Sequence, residues 1–352
     1  MKTSIISEIG VNHDGSYAKL KKLILKSKIA GADFVKLQVY NTDEIVIKNT
    51  RAAEYQKKID KNQYELLKKY ELSKKNIIKI NLFCKIKKIK LIATCFDIGS
   101  FNFCKKILNS SIYKIGSGDL TNLPLIYEIA KSKKKIILST GMSNLHEIDL
   151  ALKTVCYAYS SNNRNPTLKK IKNIKLNKIK LKFLKNKVSI LHCVSLYPTK
   201  LTELNLNFIS TLVNKYKLNI GFSDHSRSIF APSIAVALGA KIIEKHFTLD
   251  NNAKGPDHSS SLNYIDFSLF VKKIRETELM LGSFLKKINS KEQQNAKIVK
   301  KSIYTKTNIN IGEVFSLKNL SVKRPKKGKS PSFLWNLIGK KSKKKYKSNQ
   351  LV

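Results

Sequence analysis

Eight short apolar runs, rich in β-branched residues and mostly separated by helical patterns, constrain this chain more than any other feature. They are SIISEIGV (4–11), DFVKLQVY (33–40), KLIATCFD (90–97), IYKIGSG (112–118), KIILSTG (135–141), VSILHCVS (188–195), LNIGFSD (218–224) and AKIIEKHF (240–247). Their apolarity is continuous rather than alternating, as expected of strands buried on both faces of a parallel sheet. Eight such strands alternating with helices over roughly 250 residues predict an α/β fold of the (β/α)8, or TIM, barrel type. An open doubly wound sheet is the rival, but no G-x-G-x-x-G follows the first run.

Three segments break the rhythm. Residues 41–73 make a long connection containing TRAAEYQKK, and a connection that long is more often functional than idle. Residues 160–187 are lysine-rich and of low complexity, and read as a solvated insertion before the sixth run, or an extension of the preceding helix. The barrel pattern ends near residue 285. A linker over 286–301 then leads to a β-rich module over 302–352 with short strand patterns and a Gly turn.

Hydrophobic residues make up 42% of the 352, enough to bury a sizeable core. No apolar run approaches the roughly 18 residues that a bilayer requires, and the start, MKTSIISEIG, does not read as a secretory signal. Cys84, Cys95, Cys104, Cys156 and Cys193 are widely spaced and never form CxxC, which fits reduced thiols in a cytoplasm. Lys plus Arg numbers 68 against 24 Asp plus Glu, a net charge of +44. A nucleic-acid binder is one reading of that excess. The lysines run from end to end, however, and the arginines that usually read bases are few, so compositional bias is the better account and no nucleic acid is expected. Such a field would still concentrate anionic substrates near a cleft.

In a barrel the C-terminal strand ends share one mouth, and reacting groups come from several strands. Polar residues stand near that end of every run: Glu8; Lys36 and Gln38; Thr94; Lys114 and Ser117; Ser139; His192, Ser195 and Tyr197; Asp224 and His225; Glu244, Lys245 and His246. Any one of them could be a satisfied core residue, but inward lysines are costly to bury without an anionic partner. Lys36 and Lys114, flanked by the hydroxyls of Thr94, Ser117 and Ser139, would suit a phosphate or carboxylate. Schiff-base chemistry by one of the lysines is the alternative. His225 and His246 end consecutive strands and could converge on a divalent ion such as Mn²⁺. His13 and His192 compete for that role, although His192 lies inside an apolar run and could be a core residue with a tautomer-fixing hydrogen bond.

EIGVNHDGS, GADFVKLQ, YKIGSGD, NLPLI, IILSTGM, HCVSLYPT, GFSDHS, IEKHFTLD and GPDH fall in the order found in the sialic acid synthase family, which this chain resembles except over 160–187. Its tail, GEVFSLKNLSVKRP…IGKK, is similar to that family's C-terminal antifreeze-like (SAF) domain. AAEYQ, GPDH and EKHFTLD resemble the N,N'-diacetyllegionaminate branch more than the N-acetylneuraminate one. The resemblance implies condensation of phosphoenolpyruvate with an open-chain N-acetylmannosamine-type sugar, with phosphate lost by C–O cleavage. It implies that His225 and His246 hold Mn²⁺, with Mg²⁺ or Co²⁺ able to substitute. Glu8 would be the general base or would orient the sugar and water. Lys36, Thr94, Lys114, Ser117 and Ser139 would hold phosphoenolpyruvate. Gln38, Tyr197 and Asp257 would contact the sugar, the water on the metal, or both. Arg324 would reach the acylamino group from the other subunit of a domain-swapped homodimer.

The chain departs from the family pattern at Cys95, Asp119, Ser195 and the KKGKS that follows KRP. Ser195 stands where sialate enzymes often carry asparagine, so it bears on which sugar is accepted. A deoxyoctulosonate phosphate synthase is the alternative among condensing barrels. That alternative leaves the tail without an account.

Overall fold

A computed structural model describes residues 2–53, 56–57, 60–160 and 165–352. The chain divides into two compact units, Met1–Gly282 and Ser283–Val352. The first is a closed barrel of eight parallel strands: β1 (Ser4–Gly10), β2 (Phe34–Val39), β3 (Lys90–Cys95), β4 (Ile112–Ile115), β5 (Lys135–Ser139), β6 (Val188–Cys193), β7 (Asn219–Asp224) and β8 (Ile242–His246). Each strand pairs with its sequence neighbour, and β8 closes onto β1, with Glu8 beside His246.

Side chains alternate along each strand, so one set faces the helices and the other fills the barrel. The outward set (Ile5, Ile9, Val35, Leu37, Tyr113, Ile115, Ile136, Leu138, Ile190, Phe222 and Ile243 among others) joins buried helix residues such as Leu20, Leu23, Ile80, Phe101, Ile126 and Phe267 in one apolar layer. Inside, Ile6, Ile92, Ile137 and Leu191 form a separate plug with Phe34, Ile112 and Ile242. Each such side chain, fully buried, contributes about 1.5–3 kcal/mol. Above this plug the interior positions become polar. The helices begin where a short polar side chain caps them: Ser16, Ser73, Asp97 and Asn122 each accept a backbone N–H of the first turn.

The connection over 41–73 carries two short helices, Thr42–Ile45 and Gln63–Tyr70. Glu54, Tyr55 and Lys58 of TRAAEYQKK lie outside the described residues. Residues 161–164 of the lysine-rich stretch do too. The remainder of that stretch is mostly exposed and takes the form of a helical extension that also packs on the barrel. It holds helices Leu168–Lys172 and Lys178–Leu184, and their Ile171 and Leu184 are buried, Leu184 within the main core. Lysines dominate the composition there, but apolar residues at helical spacing are enough to anchor the segment.

The second unit pairs β9 (Ser302–Thr305) antiparallel with β10 (Leu320–Lys323) over a small core of Ile303, Ile309, Phe315 and Leu320. The stretch read as a linker contains the helix Ser290–Val299, capped by Asn289. Arg324 follows β10 directly and belongs to this second unit.

Candidate active site

Strand alternation places Glu8, Lys36, Thr94, Lys114, Ser139, Cys193, Ser223 and Glu244 inside the barrel, one pleat above the plug. All of them are buried. Lys36 Nζ lies 2.9 Å from Glu8 Oε2 and 3.7 Å from Glu244 Oε1, and donates to Thr94 Oγ1 at 3.2 Å. Lys114 Nζ donates to both Glu244 oxygens, at 2.9 and 3.1 Å. Ser223 Oγ donates to Glu244 at 3.0 Å, and Gln38 Nε2 to Glu8 Oε1 at 3.1 Å. Four buried charges thus sum to zero.

The groups in this cluster are perturbed in different directions. Burial opposes the charge on Glu244, but Lys114 and Lys36 outweigh it and hold its carboxyl at about 2. For Glu8 burial wins over Lys36, and its pKa rises. Burial also penalises both ammonium groups. The carboxylates of Glu244 and Glu8 reverse that for Lys36, whereas the pKa of Lys114 falls despite Glu244. A carboxylate kept ready to hold a proton beside two lysines is the environment of a proton-transfer group next to an anion site.

Beside the lysines lies a cradle of hydroxyls. Ser117 Oγ accepts the Gly141 N–H at 3.0 Å, and a Cβ at position 141 would fall on Ser195 Oγ and press on Ser117. Glycine there lets the Ser117 and Ser195 hydroxyls converge. Ser139 Oγ is buried and lacks a hydrogen-bond partner among the described residues. A buried hydroxyl without a partner costs about 1–3 kcal/mol, and an incoming anion would satisfy it.

His225, just after β7, and His246, at the end of the neighbouring β8, meet edge to face at the mouth, with ring centroids 5.4 Å apart. The Nδ1 of His225 lies 2.7 Å from the Val194 carbonyl, which leaves Nε2 as the lone-pair nitrogen when Nδ1 donates there. Tyr197 stacks on this ring at 4.1 Å, and its hydroxyl lies 3.2 Å from Nε2. His246 Nδ1 is buried without a hydrogen-bond partner, 3.6 Å from Asp257 Oδ2. Burial pushes the His246 pKa well down, which keeps the ring neutral and able to ligate. Among the described residues no cluster of three or more His, Cys, Asp or Glu side chains is set to hold a metal. The two imidazoles by themselves fit a borderline divalent cation that keeps its other positions for water and substrate. Gly10, at φ +53°, permits this close packing: a Cβ there would lie 3.1 Å from Asp257 Oδ2 and 3.4 Å from Glu8 Oε1.

One cavity of about 1130 Å³ is lined by the expected Glu8, Lys36, Gln38, Thr94, Lys114, Ser117, Ser139, Ser195, Tyr197, His225 and His246. Asp257 lines a smaller recess shared with Gln38, Tyr197 and His246. Arg324 lies in the other unit. Cys193 and Ser223 escaped selection from sequence, and Glu244, named among the strand-end groups but given no role, organises both lysines. Counting by twos from His246 and His225 would have found Glu244 and Ser223. His192 faces outward, its Nε2 donating to the Leu204 carbonyl at 2.7 Å and its ring stacking on Phe222. His13 sits in the turn after β1, where Nδ1 accepts the Gly15 N–H. Neither ring joins the pair.

The profile of the NeuB family matches residues 23–287. This chain belongs to the NeuB family. It is 39% identical to the N,N'-diacetyllegionaminic acid synthase of Campylobacter jejuni over 100% of this chain and 99% of that one. With the protein of the same name from Legionella pneumophila the identity is 34%, over 96% of this chain and 90% of that one. Among solved structures, the N-acetylneuraminic acid synthetase of Leptospira borgpetersenii in complex with citrate is similar at a TM-score of 0.67 and 30% identity. That match covers 84% of this chain and 90% of the other. The NeuB match takes in strands β2–β8 and with them every interior polar residue named above except Glu8.

Proposed function

We propose that this NeuB-family chain is a phosphoenolpyruvate-dependent nonulosonate synthase. C3 of phosphoenolpyruvate forms a bond with the aldehyde carbon of an open-chain acetamido sugar of the N-acetylmannosamine type. Water adds at C2, and inorganic phosphate leaves with the bridging oxygen. The observation that carries this reading is a buried anion berth and a pair of facing imidazoles in one cavity, on a chain similar from end to end to legionaminic acid synthases.

Lys36, Lys114, Thr94, Ser117 and Ser139 hold phosphoenolpyruvate, and its negative charge takes over the lysines now neutralised by Glu8 and Glu244. Glu8, with its raised pKa, is the residue suited to move a proton at the reacting centre. Gln38, Ser195, Tyr197 and Asp257 orient the sugar. A cation held by His225 and His246, with Mn²⁺ preferred and Mg²⁺ or Co²⁺ as substitutes, would supply Lewis-acid polarisation of the aldehyde. The second unit acts as an antifreeze-like domain, and in a domain-swapped homodimer its Arg324 reaches the acylamino group in the partner's barrel. The likeness to two N,N'-diacetyllegionaminic acid synthases supports 2,4-diacetamido-2,4,6-trideoxymannose rather than N-acetylmannosamine as this chain's acceptor. The reaction belongs in the cytoplasm.

The test is direct. Purified protein with Mn²⁺ and phosphoenolpyruvate is offered each sugar in turn, and inorganic phosphate is measured. Release with the diacetamido sugar supports the full reading, and release with N-acetylmannosamine alone reassigns the acceptor. No release with either removes the proposal.

A further inference from the structure

The metal reading uses the inward residues of β7 and β8, and it leaves a second pair of charges unexplained. Asp224 and Lys245 are register partners on these strands and point the other way, toward the helices. Their side chains are fully buried and form an ion pair at 2.6 Å. Lys245 Nζ also donates to the carbonyls of Ser226 and, at 3.3 Å, Ser228. The other oxygen of Asp224, Oδ1, accepts the Ser226 N–H at 2.8 Å. The loop that leaves β7 is therefore tied at residues 224, 226 and 228 to a single ammonium group. His225 lies within the tied stretch, and His246 is the residue after Lys245.

We infer that Lys245 and Asp224 are positioning residues: their outward ion pair fixes the backbone on which His225 and His246 turn inward, and so sets the separation of the two imidazoles. The inference rests on the reading of those rings as cation ligands. Its physical basis is the cost of the arrangement. A buried ion pair adds little stability over an apolar pair of similar volume, because both ions must leave water. An ammonium group reaching three acceptors along one loop does what an apolar pair cannot, since it imposes direction on the backbone carbonyls. His225 is additionally held by Val194, on the strand-β6 side, and the carbonyl of His225 accepts the Thr199 N–H at 3.0 Å. The segment bearing His225 is thus fixed on both flanks.

The experiment uses the full chain and two ligands. Mn²⁺ binding without substrates is measured by electron paramagnetic resonance, and phosphoenolpyruvate binding by calorimetry in metal-free buffer. Lys245→Met alone would strand a buried carboxylate and could unfold the barrel, so the informative variant is Lys245→Met with Asp224→Asn. That change removes both charges together, and its folding is checked by cooperative thermal unfolding. The expected result is Mn²⁺ affinity weakened by about tenfold or more, the scale seen when outer partners of metal ligands are lost. Phosphoenolpyruvate affinity should stay within about twofold, because the groups that hold it come from β2–β5 and the turn after β4, and Glu244 keeps its own contacts with Lys36, Lys114 and Ser223. Unchanged Mn²⁺ affinity, or equal loss for both ligands, overturns the inference. If the unaltered protein binds no Mn²⁺, the reading of the imidazoles falls first and the positioning role falls with it.

Discussion

At the scale of single residues, the site is organised by what burial does to charge. Asp257 shows this most simply. Burial first, and then the charge of Glu8, push its carboxyl up to about 7. In the unfolded chain it ionises near 4, so the folded state disfavours its charged form. In metal-free protein its contribution is complete below about pH 4 and declines as the pH rises through about 7. Asp257→Asn should flatten that decline between about pH 4 and pH 7. Thermal unfolding in chelator measures it, and parallel curves for the two proteins would exclude Asp257 as the source. Lys114 makes a second case. It donates to both oxygens of Glu244 at the foot of the anion berth. Lys114→Met should raise the KM for phosphoenolpyruvate by about 10- to 100-fold, the worth of one charge-assisted contact. Steady-state kinetics with varied phosphoenolpyruvate checks it.

At the scale of elements, inward and outward alternation decides which polar residues can react. Glu244, Lys245 and His246 are consecutive and equally polar, yet the middle one serves the opposite face. The lysine-rich stretch after residue 160 makes a similar point with apolar residues. Leu184 is fully buried in the barrel's outer core, while the neighbouring Lys178 and Lys182 are exposed and Lys180 is half-buried. Leu184→Ala should cost about 2–5 kcal/mol. Replacing those three lysines by glutamine should move stability by no more than about 0.5 kcal/mol each, with turnover unchanged. Denaturant unfolding separates the two outcomes.

For the whole molecule the relevant quantities are the charge of +44 and the second unit. A positive field that draws in an anionic substrate weakens as salt screens it. The KM for phosphoenolpyruvate should therefore rise with ionic strength while the KM for the uncharged sugar does not. Equal salt dependence would deny the field a role. Arg324→Ala tests the second unit's part in the reaction. The expected effect is a raised KM for the acetamido sugar with that for phosphoenolpyruvate unaltered, and unchanged constants for both would refute the cross-subunit role.

The residues alone determined the barrel, because eight continuous apolar runs separated by helices can bury both faces of a parallel sheet in few other ways. They also determined which strand ends carry polar and ionisable groups, since those follow from where each run stops. What only the tertiary structure decided is the side each group serves and the company it keeps. A one-residue offset along a strand exchanges barrel interior for helix layer, which is why His192 left the site and Glu244 entered it. The zero-sum pairing of Lys36 and Lys114 with Glu8 and Glu244 joins residues up to 236 positions apart (Glu8 to Glu244, 244 − 8), and only closure of β8 onto β1 brings them within reach.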